Sequence, residues 1–332
     1  MIQTQLKICA TGQATPRQIA TSSELDERLG FKDGYVKKLT GITSRHYATN
    51  ESATDLAVEA VTLAIEDSGI CYDDIHCIIS ASGTMEQAIP CNAAKLHARL
   101  PLSKPVPAFD INMTCLGSLM ALEVAGSMLN SIPKDKYILV YASDIASVGL
   151  DWNHIESAGI FGDGAAAYII GSANSNEQGV IASKFETYSQ GIDYCQIKGA
   201  GTLNHPSKLP TNHASARCNF EMDGKSVYRL AAKVMPAFMK DLMGSCNLSI
   251  DDIDWFVPHQ ASSLSLKNMR KKFSIPREKF IEIYQNRGNQ IAASIPAALD
   301  HLLKQYQVNR GDKIMLLGTS AGMSIGAIIL QY

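Results

Sequence analysis

Two stretches of this chain repeat each other at nearly one spacing. Asp73-Asp74-Ile75-His76-Cys77-Ile78-Ile79 resembles Asp251-Asp252-Ile253-Asp254-Trp255-Phe256-Val257. Lys136-Tyr137-Ile138-Leu139-Val140-Tyr141-Ala142-Ser143 resembles Asp312-Lys313-Ile314-Met315-Leu316-Leu317-Gly318-Thr319. Positions 74 and 252 lie 178 apart, and positions 143 and 319 lie 176 apart. Self-similarity at a fixed offset implies two copies of one topology. The 332 residues suffice for two halves of ordinary domain size. The polar run Ser172–Gly179 marks the boundary, giving halves 1–172 and 173–332.

Helical and strand patterns alternate within each half, which predicts an α/β fold. Thr54–Ser68 reads as a helix, with apolar positions at Leu56, Ala60, Val61, Ala64 and Ile65 and Gly69 as its stop. Ile75–Ser80, Tyr137–Ala142 and Ile314–Leu317 read as buried strands. Phe161-Gly162-Asp163-Gly164 is a turn leading into the strand Ala165–Ile170.

A pseudo-two-fold arrangement brings equivalent loops of the halves together. Cys115 opens the apolar segment Leu116–Leu129, and 174 residues later Asn289 opens Gln290–Leu303. The loop Ser82-Gly83-Thr84 corresponds to Pro258-His259-Gln260. Cys115, His259 and Asn289 are therefore expected to converge. A thiol at a helix N-terminus faces unpaired N–H groups and the positive end of the dipole, which is expected to lower its pKa. A thiolate is the nucleophile that acyl transfer from a thioester needs. Read singly, Cys115 is also a packed core thiol, His259 a structural histidine and Asn289 an N-cap.

Composition narrows the classes. Charged residues make up 19% and the formal net charge is −2, so no basic field for nucleic acid is expected. Met1–Ala20 has no apolar leader core, and runs such as Ile325–Leu330 are too short for a membrane helix, so no membrane association is expected. None of the eight cysteines forms a C-x-x-C pair, so neither disulfides nor a zinc site is expected, and the reducing cytoplasm fits. No G-x-G-x-x-G or G-K-[ST] loop announces a nucleotide cofactor. The small-residue run Gly318–Gly326 allows backbone to approach a ligand closely.

Four motifs together resemble the β-ketoacyl-[acyl-carrier-protein] synthase III family of the thiolase-like superfamily. They are Thr114-Cys115-Leu116-Gly117, Phe161-Gly162-Asp163-Gly164-Ala165, His259-Gln260-Ala261, and Gly288-Asn289 before Ala292-Ala293-Ser294-Ile295-Pro296. The likeness begins at Thr40-Gly41-Ile42 and runs to the C-terminal turn. It implies a homodimer of duplicated, five-layered α/β/α/β/α subunits without a metal or other cofactor. It implies that Cys115 accepts the acyl group and that His259 and Asn289 polarise a malonyl thioester as it loses CO₂. The backbone N–H groups of Cys115 and Ala321 match the family's oxyanion hole. Arg229, Lys271 and Lys272 match its docking site for acyl carrier protein, although a solvated basic helix face is the plain alternative. Tyr35 falls where the family stacks on the adenine of CoA.

The chain also departs from that pattern. Leu39 and Val148 stand where acetyl-CoA-primed members have arginines, and Leu264 where a docking arginine is usual. Thr319 replaces a phenylalanine, and Ser320 and Ala321 interrupt a glycine run. Glu86 lies about three residues late for the glutamate acid/base of hydroxymethylglutaryl-CoA synthases. Alternatives carried forward are a specialised relative doing acyl transfer or non-decarboxylative condensation, a Cys-His-Asn hydrolase, and a non-catalytic partner subunit.

Overall fold

The computed structural model describes residues 3–173, 178–199, 201–205, 207 and 218–332. Residues 174–177 of the expected boundary run lie outside the described residues. Two five-stranded mixed sheets form the frame. In the first, the strands run in the order Lys7–Ala14, Gly164–Gly171, Tyr137–Asp144, Ile75–Ser80 and Ala108–Asp110. In the second, the order is Thr4–Gln5, Gly179–Thr187, Ser324–Gln331, Lys313–Ser320 and Trp255–Pro258. Stripped of its edge strand Thr4–Gln5, the second sheet repeats the order of the first four strands of the first, Ala108–Asp110 having no counterpart. The repeated sequences occupy equivalent strands. A short 3₁₀ turn precedes each copy, Tyr72–Asp74 and Ile250–Asp252, with Asp74 and Asp252 bonded back to the capping residue. One segment crosses over, since Thr4–Gln5 pairs antiparallel with Gly179–Val180 of the other sheet.

The strands are apolar along their length because both faces are covered. Neighbouring residues on one strand face different layers. Ile79, Val140 and Tyr168 pack against the central helices Gly117–Met128 and Ser294–Gln305, while Ile78, Leu139 and Ala167 pack against the outer helix Ala53–Ser68. In the second sheet, Val257, Leu316 and Ile328 face the centre, and Phe256, Met315 and Ile329 face the long helix Gly224–Cys246. The layers are thus helix, sheet, two helices, sheet, helix, as in the thiolase-like fold. Burial of this kind stabilises by roughly 25 cal/mol per Å² of apolar surface, so the central helices are fixed firmly. They carry the site at their N-terminal ends.

Candidate active site

Cys115 sits where the first central helix begins, but not in the helix proper. The strand Ala108–Asp110 leads to Asn112, whose side chain accepts the Thr114 N–H at 2.9 Å. Thr114 adopts φ 46°, and a 3₁₀ turn, Thr114–Leu116, feeds the α-helix Gly117–Met128. The backbone N–H groups of Ala321 and of Cys115 itself are aimed at the thiol. Their effect is outweighed. Burial pushes the Cys115 pKa up to about 12, with the charges of Asp144 and then Cys195 adding to it. The sequence predicted a lowered pKa. It did not anticipate that the sheets and loops around the helix end would remove water from the sulfur, and desolvation favours the neutral thiol.

His259 follows the strand Trp255–Pro258. Its N–H bonds Leu317 O at 2.7 Å, and its carbonyl accepts from Ala261 N at 2.9 Å. Gln260 braces this turn, donating to Pro258 O and accepting from Ile283 N at 2.8 Å. The imidazole is 4% exposed and its Nδ1 is buried without a partner. Burial lowers its pKa to about 4, so it is neutral near pH 7. Gly318 is the point of closure. A Cβ there would lie 2.7 Å from His259 Cβ and 3.3 Å from Leu116 Cδ2, so only glycine lets these two segments meet.

Asn289 arrives from the second half. Its N–H bonds Ile160 O at 2.8 Å and its carbonyl accepts Gly162 N at 3.0 Å, a parallel bridge to Phe161. Its Oδ1 accepts Ile291 N at 2.9 Å and Ser294 Oγ at 3.5 Å. That occupies the oxygen and leaves Nδ2 as the donor. The Phe161–Gly164 turn therefore cradles Asn289, a role the sequence did not reveal. Asp163 holds the cradle by accepting Ala48 N at 2.8 Å, Ser147 N at 2.8 Å and Ser147 Oγ at 2.6 Å. Gly83 closes the other side. A Cβ on it would lie 2.6 Å from Ile291 Cγ2 and 3.4 Å from Thr114 C.

The equivalence of Cys115 with Asn289 needs correction. Ile291 has φ 50° and opens the 3₁₀ turn Ile291–Ala293 before the helix Ser294–Gln305, just as Thr114 does in the first half. On this match Cys115 corresponds to Ala292, and Asn289 lies ahead of the equivalent point. The helices also start later than the predicted Leu116 and Gln290, at Gly117 and Ser294, because the 3₁₀ turns Thr114–Leu116 and Ile291–Ala293 precede them, and in the second half left-handed Ile291 bars a right-handed helix from Gln290 onward.

Glu86 serves another purpose. One carboxylate oxygen accepts Thr54 N at 2.7 Å and Thr54 Oγ1 at 2.6 Å, and the other is paired with Lys95. Although burial opposes it, the balance of these contacts lowers its pKa. A carboxylate so engaged is not poised as an acid/base. Arg229, Lys271 and Lys272 are exposed. The helices that carry them, Gly224–Cys246 and Ser263–Lys272, are joined by Asn268 Nδ2 donating to Tyr228 Oη at 3.0 Å. Tyr35 is 43% exposed and packs on Phe31 with ring centroids 4.5 Å apart. Among the described residues no group of three His, Cys, Asp or Glu side chains converges, and no helix is long and apolar enough to cross a membrane.

The family description 3-oxoacyl-[acyl-carrier-protein (ACP)] synthase III matches residues 109–189, and its C-terminal counterpart matches 243–332. A β-ketoacyl-[acyl-carrier-protein] synthase III of Neisseria gonorrhoeae is 32% identical over 327 residues, spanning 98% of this chain and 99% of that protein. The chain belongs to this family. Another synthase III, from Wolbachia pipientis, is 32% identical over 328 residues, 98% of either chain. The crystal structure of 3-oxoacyl-[acyl-carrier-protein] synthase III from Aquifex aeolicus superposes with a TM-score of 0.88 at 27% identity, covering 98% of this chain and 100% of that one. OleA of Xanthomonas campestris, at 21% identity and TM-score 0.86, shares the fold. As a synthase III family member the protein is an acyltransferase of the condensing type.

Proposed function

We propose that this synthase forms an acyl-enzyme on Cys115 and condenses it with malonyl-acyl carrier protein, releasing CO₂. What carries this reading is that Gly318 lies between His259 and Leu116, and Gly83 between Thr114 and Ile291, whose N–H bonds Asn289. Cys115 attacks the donor thioester, and its thiol proton passes to the departing sulfur of the donor. The N–H groups of Cys115 and Ala321, which face the sulfur, form the oxyanion hole for the tetrahedral intermediate. The donor's thiol then leaves with a proton. In the second step His259 and Asn289 Nδ2 donate to the malonyl thioester oxygen. Loss of CO₂ yields an enolate that attacks the acyl carbonyl, and Cys115 is expelled as the thiolate. No metal or cofactor enters these steps. The engaged Glu86 carboxylate favours this route over a non-decarboxylative condensation that needs a free acid there. The test is a panel of acyl donors followed by malonyl-carrier protein. Intact mass should show an adduct at Cys115, and CO₂ should appear only with the second substrate. CO₂-free transfer to another nucleophile would support the specialised acyl-transfer alternative instead.

The reading divides the subunit into halves 1–172 and 173–332, pairs it as a homodimer and places it in the cytoplasm. It sets carrier docking at Arg229, Lys271 and Lys272, whose charge suits an acidic partner. Reversing Lys271 and Lys272 to Glu is expected to raise KM for malonyl-carrier protein roughly tenfold and flatten its salt dependence. Unchanged KM and salt response would return the helix to an ordinary solvated face.

The donor surface is apolar. Leu39 and Val148 are 53% and 84% exposed, and neither offers a contact to phosphate. Tyr35 retains a stacking face for CoA. Carrier-bound acyl donors are therefore expected to exceed the same acyl group on CoA in kcat/KM. Efficient use of acetyl-CoA, about 10⁴ M⁻¹s⁻¹ or more, ahead of every carrier-bound donor would reverse that order.

A further inference from the structure

Asp144 ends the strand Tyr137–Asp144 and is fully buried, yet among the described residues no Lys, Arg or His pairs with it. Its Oδ1 accepts Thr84 N and Thr84 Oγ1, each at 2.8 Å, and its Oδ2 accepts Ala292 N at 3.1 Å. Gly83 N–H adds a further contact. One carboxylate thus ties a loop of the first half to a turn of the second. That turn is the one whose Ile291 N–H orients Asn289. Gly83, on the tied loop, lies between Ile291 and Thr114. Both of those residues hold left-handed backbone, φ 50° and φ 46°, which persists only when surrounding contacts enforce it.

We infer that Asp144 is a positioning residue of the condensation, fastening the Asn289-bearing turn against the Cys115 loop so that Nδ2 reaches the malonyl thioester. This rests on the two-step reading above. A carboxylate suits the place because it accepts several donors at once, whereas an amide presents one acceptor oxygen and an NH₂ that opposes the N–H groups. Burial pushes the Asp144 pKa up to about 6, and its four donors act against that rise. Its charge also bears on Cys115.

The test is Asp144→Asn, with acylation of Cys115 and release of CO₂ measured separately. Acylation should not fall, since loss of the Asp144 charge eases ionisation of Cys115, while kcat for decarboxylation falls by up to about 100-fold, the cost of displacing a positioned group by an ångström. KM for malonyl-carrier protein should hold. In an Asn289→Ala background the same substitution should cost almost nothing further, because what it positions is gone. Additive losses, or equal loss of both steps, would overturn the inference. Should Asp144→Asn not fold, Thr84→Val removes one donor to the carboxylate and takes its place in the cycle with a smaller effect. A wild-type enzyme without acylation or CO₂ release would refute the two-step reading itself. Wild-type behaviour in the variant would refute only the role of Asp144.

Discussion

Replacing His259 or Asn289 by Ala is expected to cut CO₂ release from malonyl-carrier protein by about 10²–10³ and to leave much of the acylation of Cys115 intact. The reason is where charge appears. During acylation the oxyanion lies against the backbone N–H groups of Cys115 and Ala321, which neither substitution removes. During decarboxylation the enolate oxygen depends on the side-chain donors. Asn289 is prepared for this, since its Oδ1 is occupied by Ile291 N and its Nδ2 has no acceptor among the described residues. Quench-flow mass measurement of the acyl-enzyme beside labelled CO₂ release separates the steps. Equal collapse of both after Asn289→Ala would mean that Asn289 serves the nucleophile.

The second large effect concerns the resting thiol. With its pKa pushed to about 12, Cys115 is ionised at pH 7 to about one part in 10⁵, against a few per cent for a thiol at the ordinary value. Limiting iodoacetamide is therefore expected to label exposed Cys71 ahead of Cys115. An acyl thioester should nonetheless mark Cys115, because its carbonyl brings the developing charge into the two backbone N–H groups while the thiol proton passes to the departing donor thiol. Site-resolved mass spectrometry over a pH series measures both. Alkylation of Cys115 first, with a midpoint below about pH 8, would show a resting thiolate and assign the electrostatics to the helix end after all.

Most of the frame was legible because both copies of the repeat had to solve the same packing problem. Buried strands with covered faces read as apolar runs, and Ile75–Ser80 was found at its observed ends. Tyr137–Ala142 and Ile314–Leu317 were found short. Each strand runs on into polar residues, to Asp144 and Ser320, that apolarity cannot mark. Those extensions carry the residues that build the site's floor. A Ser143-Asp144 pair matched by Thr319-Ser320 was the available signal, since an acid closing a buried strand needs a reason to be there.

The sequence by itself determined the duplication and the family, and it singled out Cys115, His259 and Asn289, because nucleophile, donor and turn chemistry are written in local motifs. Tertiary structure decided their state. Ionisation depends on how much water the packed chain removes, so burial holds Cys115 as a thiol, with Asp144 and Cys195 adding to the effect, and His259 as a neutral imidazole. It also decided that Asn289 precedes the equivalent of Cys115, because the left-handed turn that sets the match, Thr114 or Ile291, is imposed by packing around Gly83 and leaves no mark in residue type.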